Sequence, residues 1–279
     1  MAISRVGLFG LILTLVALGM GPDSTVAGGA KAGTQKQQAG FLIVQGEESQ
    51  SRFGDIYHTG WSEESNTRPA SHAVPYYPQA GDILLYDDMV PLHHFLFRLA
   101  GTGPPTHAAI AIEQADHKVV ILELTGPTVV KAKVLIMEVE PRLKSYEGTV
   151  MVRRLREPLT EEQSADLTNF AHAQEGKNIA FKRGLLQGTP IRCRSGLRRQ
   201  LFAHTYIDRK RWFCSEMVVA AACAGHFLDP HVYHANAMYP RDLAFDETYN
   251  LSGLYYKALP WTAQDPTRAP HVMENEPGT

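Results

Sequence analysis

Hydrophobic and polar positions along this chain change rhythm at Gly81. Before it, an apolar run from Val6 to Met20 gives way to Gly-, Ala-, Lys- and Gln-rich sequence up to about Gln38. A short apolar block, Phe41-Leu42-Ile43-Val44, follows and reads as a strand. Gly46 to Tyr77 is polar with scattered aromatics and reads as loop wrapping the domain. From Gly81 onward the apolar blocks are short and bounded by turn residues. Gly81-Asp82 turns into a buried strand, Ile83-Leu84-Leu85-Tyr86. Met89 to Leu99 reads as a short helix and Gly101 to Pro105 as a rigid turn. Thr106 to Glu113 and Val119 to Leu124 read as two strands joined by a turn at Gln114 to Lys118. Val129 to Val139 and Gly148 to Arg153 suggest further strands, so the array predicts an antiparallel meander. Thr160 is a good N-cap for a helix to about Glu175, with Gln163 in the reciprocal capping position and Gly176 as the stop. Pro240-Arg241-Asp242-Leu243 reads as a capped turn, and Trp261 to Thr279 as a loose, Pro-rich tail.

Two polar residues interrupt the meander. His107 opens one strand, and Glu123 lies near the end of the next. In an antiparallel hairpin the residue numbers of opposed partners have a constant sum. A three-residue loop at Gln114–Asp116 sets His107 directly across from Glu123. The same loop one place later leaves them diagonal on one face. A four-residue loop puts them on opposite faces.

Phe213-Cys214-Ser215-Glu216-Met217-Val218 leads into a run that is apolar at nearly every position, the pattern of a helix buried all round. Cys214 falls in its first turn. Unpaired N–H groups and the dipole at a helix start favour an anion there. A thiolate so placed, beside a histidine, is the nucleophile of covalent catalysis. A cysteine before an apolar helix also fits a core position, because free cysteine is among the most buried residue types.

The chain has 279 residues, is 44% hydrophobic, and carries a net charge of −2. That is enough to bury a full core, and it provides no overall field for nucleic acid. Arg5, the apolar run and Thr25-Val26-Ala27 before Gly28 form a secretory pattern, which points to a periplasmic or secreted protein or a retained membrane anchor. The run is short for a bilayer span, which needs about 20 residues. Cys193, Cys214 and Cys223 are an odd set for an oxidising compartment, so one thiol stays free. Cys223 lies nine residues beyond Cys214, about 900° around a helix and on the opposite face. It pairs with Cys193 or sits in the core. Lys182 to Arg211 is strongly basic and reads either as a patch for an anionic partner, such as lipid headgroups or cell-wall polymer, or as a solvated helix face. His93, His94, His226, His231 and His234 match no specific zinc spacing and read as surface or capping residues.

The ordered set Gly81-Asp82-Ile83-Leu84-Leu85-Tyr86, Thr106-His107-Ala108-Ala109-Ile110, Leu122-Glu123-Leu124-Thr125-Gly126-Pro127, Phe213-Cys214-Ser215-Glu216-Met217-Val218 and Tyr239-Pro240-Arg241-Asp242-Leu243 resembles the YiiX/YebB-like branch of the NlpC superfamily. These are circularly permuted papain-fold cysteine hydrolases. The resemblance runs from Gly81 to Leu243. It implies an α+β fold, with an antiparallel sheet packed against helices and the nucleophile at a helix N-terminus. It also implies Cys214 as nucleophile, His107 as base and Glu123 as the residue that orients the histidine, with no cofactor or metal. Tyr86 is a candidate substrate contact. The implied activity is thiol-dependent cleavage of an amide in a cell-wall peptide or acylated small molecule. The alternatives are acyl transfer or ester cleavage on a lipid, and a non-catalytic envelope binding module. Thr106, Ala108-Ala109 and the basic stretch depart from the family pattern and bear on substrate choice. The organisation so implied is a signal peptide at 1–27, a linker and extension at 28–77, a catalytic domain at 78–258 and a tail at 259–279.

Overall fold

The computed structural model describes residues 40–44, 72–180, 183 and 203–263. The secretory pattern, the linker, Cys193 and most of the basic stretch lie outside the described residues. What is described is a mixed α+β fold on one ten-stranded sheet. In chain order the strands are β1 Gly40–Val44, β2 His72–Tyr76, β3 Ile83–Asp87, β4 His107–Glu113, β5 Val119–Thr125, β6 Lys133–Glu138, β7 Thr149–Arg153, β8 Asn178–Ile179, β9 Arg211–Trp212 and β10 Leu259–Thr262. Across the sheet they run β2-β1-β10-β7-β3-β4-β5-β6-β8-β9. The helices are α1 Pro91–Leu99, α2 Val139–Ser145, α3 Glu161–Gln174, α4 Cys214–Ala224 and α5 Pro240–Phe245.

Strands β3 to β6 form the antiparallel meander, with each strand beside the next. Both faces of its centre are covered, which explains blocks without clean alternation. On one face Leu85, Ala108, Ile110 and Leu122 pack with α3 and α4. On the other, Leu84, Tyr86, Ala109 and Ile121 pack with Val139 and Leu143 of α2. Helix α3 begins as its capping residues require: Thr160 Oγ1 accepts from Gln163 N–H at 3.2 Å, and Gln163 Oε1 accepts from Thr160 N–H at 3.1 Å.

The Gly81-Asp82 pair is a structural hinge of the sheet. Gly81 has φ +89°, and a Cβ there would lie 2.1 Å from Leu155 Cδ1. Buried Asp82 accepts from the Tyr76 hydroxyl at 3.1 Å and from the N–H groups of Gln79 and Leu155 at 3.2 and 3.1 Å.

Three expectations need correction. His72–Tyr76, expected as loop, is a strand paired with β1. Leu259–Thr262, at the start of the expected tail, is a strand bonded to both β1 and β7. The sheet therefore draws on residues either side of 78–258. Val129 to Val139 is not one strand: Val129–Lys131 is a 3-10 turn, and Val139 already starts α2. The first two strands are short, contain Pro75 or Pro260, and find their partners far away in sequence, so local periodicity does not mark them.

Because β10 is the link between β1–β2 and the rest, deleting residues from Leu259 onward should lower the thermal midpoint by roughly 10 °C, the scale of several lost kcal/mol for a chain this size. Differential scanning calorimetry checks this; an unchanged midpoint would return the segment to an appendage.

Candidate active site

Cys214 is the first residue of α4, and Phe213 before it is extended, with φ −96° and ψ 156°. Three sets of contacts fix this helix start. The Ser215 hydroxyl donates to Met238 O at 2.8 Å. Glu216 Oε2 accepts from Phe213 N–H at 3.4 Å, which occupies one of the helix's unpaired donors. Glu216, itself buried, is gripped by Arg183 through two hydrogen bonds of 3.0 and 2.8 Å and lies 3.0 Å from Arg209. These two arginines of the basic stretch are therefore engaged inside the protein. Every residue from Ser215 to Cys223 is buried, as the unbroken apolar pattern requires. Cys223 is a free thiol in the core, and burial pushes its pKa up to about 12.

His107 and Glu123 come from neighbouring strands. The register pairs Ile110 with Leu122, which sets His107 level with Thr125 and diagonal to Glu123. This is the second of the three loop placements. The last β4–β5 ladder pair at this end is Ile110–Leu122, and the N–H of Ala108, just beyond it, helps to lower the pKa of Cys214. His107 Nε2 lies 3.1 Å from Glu123 Oε1. Nδ1 is the ring's other nitrogen, and Cys214 is near enough to act on the imidazole electrostatically. One imidazole thus meets a carboxylate and is influenced by a thiol.

The charges support one another. Burial works against an ionised Glu123, but hydrogen bonds and charges of His107 and Arg142 outweigh it, and its pKa falls to about 2. Burial also opposes the His107 imidazolium; Cys214 first, then Glu123, more than reverse this and carry it to about 10. For Cys214, burial again disfavours the charge, and His107 with the N–H groups of Ala108 and Ser215 brings the pKa below its ordinary value. Both shifts favour a thiolate–imidazolium pair over a buried carboxylate. His107 keeps 23% of its side chain exposed, so the pair is open to a reactant.

Arg142 is the member that sequence reasoning missed. Its Nε and Nη2 donate to Glu123 Oε2 and Oε1 at 2.9 and 2.7 Å, a bidentate fork on a carboxylate with no solvent exposure. It lies in α2, in a stretch between two expected strands where the sequence pattern assigned no element. The available signal was general: a buried carboxylate needs a cation, though nothing local says which one. The Ala108 and Ser215 N–H donors are equally invisible in side-chain patterns.

Tyr86, expected to touch substrate, is fully buried. It pairs with His107 across the β3–β4 ladder, and its ring lies 5.5 Å from the imidazole, with the Arg142 guanidinium 5.6 Å from its centre. Tyr86 and Tyr146 flank the Arg142 guanidinium. Its position inside the sheet, between β4 and β7, explains the burial.

His93 Nδ1 contacts Asp88 Oδ2, and His94 Nε2 lies 2.6 Å from Asp87 Oδ1. Asp87, Asp88 and His94 bring three potential ligand atoms within 4.8 Å of one another. His226 Nε2 lies 3.5 Å from Asp166, and the N–H of His231 is capped by Asp229.

No protein-family model matches this chain, and no curated protein matches it. Among solved structures, it is similar to the crystal structure of the metalloprotein yiiX from Escherichia coli O157:H7. The identity is 20% and the TM-score 0.39, over 55% of this chain and 69% of that chain. A likeness this distant assigns no chemistry to the residues above.

Replacing Arg142 by Met should destabilise the fold by about 3–5 kcal/mol, because Glu123 is left buried without its cation. With its pKa depressed to about 2, Glu123 contributes stability above its unfolded value, and that contribution is lost as pH falls. Urea unfolding at neutral and acidic pH should show a large gap between wild type and Arg142→Met that narrows in acid. A gap that is small or independent of pH would contradict the arrangement.

Proposed function

We propose that Cys214, His107 and Glu123 are the nucleophile, acid–base and orienting residue of a thiol-dependent hydrolase. The observation that carries this reading is the single imidazole that lies 3.1 Å from Glu123 Oε1 and interacts electrostatically with the Cys214 thiol at a helix start. The catalytic fold is read as a circularly permuted papain-like domain of the NlpC type. The order of parts supports it: the histidine and acid strands precede the cysteine helix. The secretory pattern at the N-terminus supports action in the cell envelope or outside the cell, on an amide of a cell-wall peptide or acylated small molecule.

The Cys214 thiolate attacks the carbonyl carbon, a C–S bond forms, and the carbonyl electron pair moves onto oxygen. That oxyanion lies near the N–H groups at the start of α4. As the C–N bond breaks, the imidazolium of His107 gives its proton to the leaving amine. Neutral His107 then takes a proton from water, hydroxide adds to the thioester, and the C–S bond breaks to return the thiolate–imidazolium pair. Glu123 stays ionised throughout and holds the ring in place.

Turnover of chromogenic acyl amides and peptide amides should fall by ~10³-fold or more in Cys214→Ala while its circular dichroism is unchanged. Full turnover in that variant would end this mechanism.

A further inference from the structure

Two aspartates and a histidine meet where β3 ends and α1 begins. One oxygen of Asp87, one of Asp88 and one ring nitrogen of His94 all lie within 4.8 Å of one another. Asp87 is buried and Asp88 half-buried. Their side chains are held from the backbone: Asp87 Oδ1 accepts from Met89 N–H at 3.2 Å, and Asp88 Oδ1 from Val90 N–H at 3.0 Å. Among the described residues neither aspartate has a lysine or arginine partner; each faces a histidine, Asp87 through His94 and Asp88 through His93.

His93 is the second observation. It is the buried residue of α1, with 10% of its side chain exposed. Its Nδ1 is directed at Asp88 Oδ2, and its buried Nε2 has no partner among the described residues. An N–H on that nitrogen would be a buried donor without an acceptor, so the surroundings suit a neutral ring that donates from Nδ1. A neutral His93 orients Asp88 and brings no positive charge. Two carboxylates in a partly buried corner then share His94 alone as a compensating cation, which leaves the corner short of positive charge. Asp87 also lines a cavity of about 210 Å³ with Leu85, Thr149 and Met151, which gives a small ion and its waters a way in. Arg241, the cation in that lining, is engaged by Glu247 and by the Pro104 carbonyl.

We infer that Asp87, Asp88 and His94 form a binding site for a divalent first-row metal ion such as Zn²⁺, with His93 as the partner that positions Asp88. Two carboxylate oxygens and an imidazole nitrogen suit such an ion, whereas Ca²⁺ and Mg²⁺ take oxygen ligands. On binding, His94 Nε2 exchanges its contact with Asp87 for the metal, and water completes the coordination. A ligating carboxylate held by an outer hydrogen bond, as Asp88 is by His93, is the usual support of such a site. The ion would tie the end of β3 to the start of α1. The site stands apart from the Cys214 chemistry and does not rest on it.

Isothermal titration of Zn²⁺ into the metal-free full chain tests this. The proteins are wild type, Cys214→Ala, His93→Phe and an Asp87→Asn, His94→Gln double variant, each checked by circular dichroism. One equivalent should bind wild type and Cys214→Ala alike. His93→Phe should weaken it ~10-fold, the scale of a lost outer partner, and the double variant by ~100-fold or more. No binding to wild type overturns the proposal and leaves the cluster as hydrogen-bonded pairs. Unchanged affinity in the double variant overturns it by placing the ion on other residues, and loss of binding in Cys214→Ala overturns it by placing the ion on the thiolate. X-ray absorption at the zinc edge on wild type, with one equivalent bound, decides the matter should the double variant not fold. Nitrogen and oxygen neighbours alone, at about 2.0–2.2 Å, are expected, and a sulfur neighbour at about 2.3 Å would contradict the site.

Discussion

A carboxylate without access to water is the constraint around which this site is arranged. Glu123 is fully buried in the middle of the sheet, where an unpaired charge is strongly unfavourable. Two groups make its charge tenable: the Arg142 fork from below and the His107 imidazolium from the side. Because Arg142 is permanently charged, Glu123 stays ionised. Cys214 first and ionised Glu123 second favour the His107 imidazolium, and that charge in turn lowers the pKa of the Cys214 thiol. Each step lowers the free energy of the next charge, and the chain ends on the half-buried Cys214.

The two thiols of α4 show how far this depends on position. Cys214 and Cys223 lie on one helix. The first meets two backbone N–H groups and an imidazolium, and its pKa falls; the second meets apolar neighbours and Asp229, and its pKa rises. Only a firmly held helix start keeps the first arrangement. Ser215 on Met238 O and Glu216 between Arg183 and Arg209 supply that hold. The basic sequence before Cys214 thus includes two residues that anchor the nucleophile's helix.

Much of this was legible in the sequence. Thr160 and Gln163 announced their helix, because a capping box is a local device. His107 and Glu123 stood out as polar interruptions in apolar strands, and parity limited them to a few placements. Cys214 stood out by its position before an apolar run. What escaped were pairings over long sequence distances and groups whose role is carried by backbone. Strand β10 carries no periodic signal and is defined by β1 and β7. Arg142 is one arginine among many until the fold sets it under Glu123. The burial of Tyr86 has a related cause: a sheet with both faces covered buries a ring that a one-sided sheet would expose.

The most direct test of the charge relay is the pH dependence of alkylation at Cys214, read site by site by mass spectrometry in wild type and in His107→Ala. The account predicts fast labelling well below pH ~8.5, the ordinary thiol value, in the wild type, and a shift of the profile to higher pH in the variant. An ordinary thiol profile in both proteins, with both folded, would contradict it.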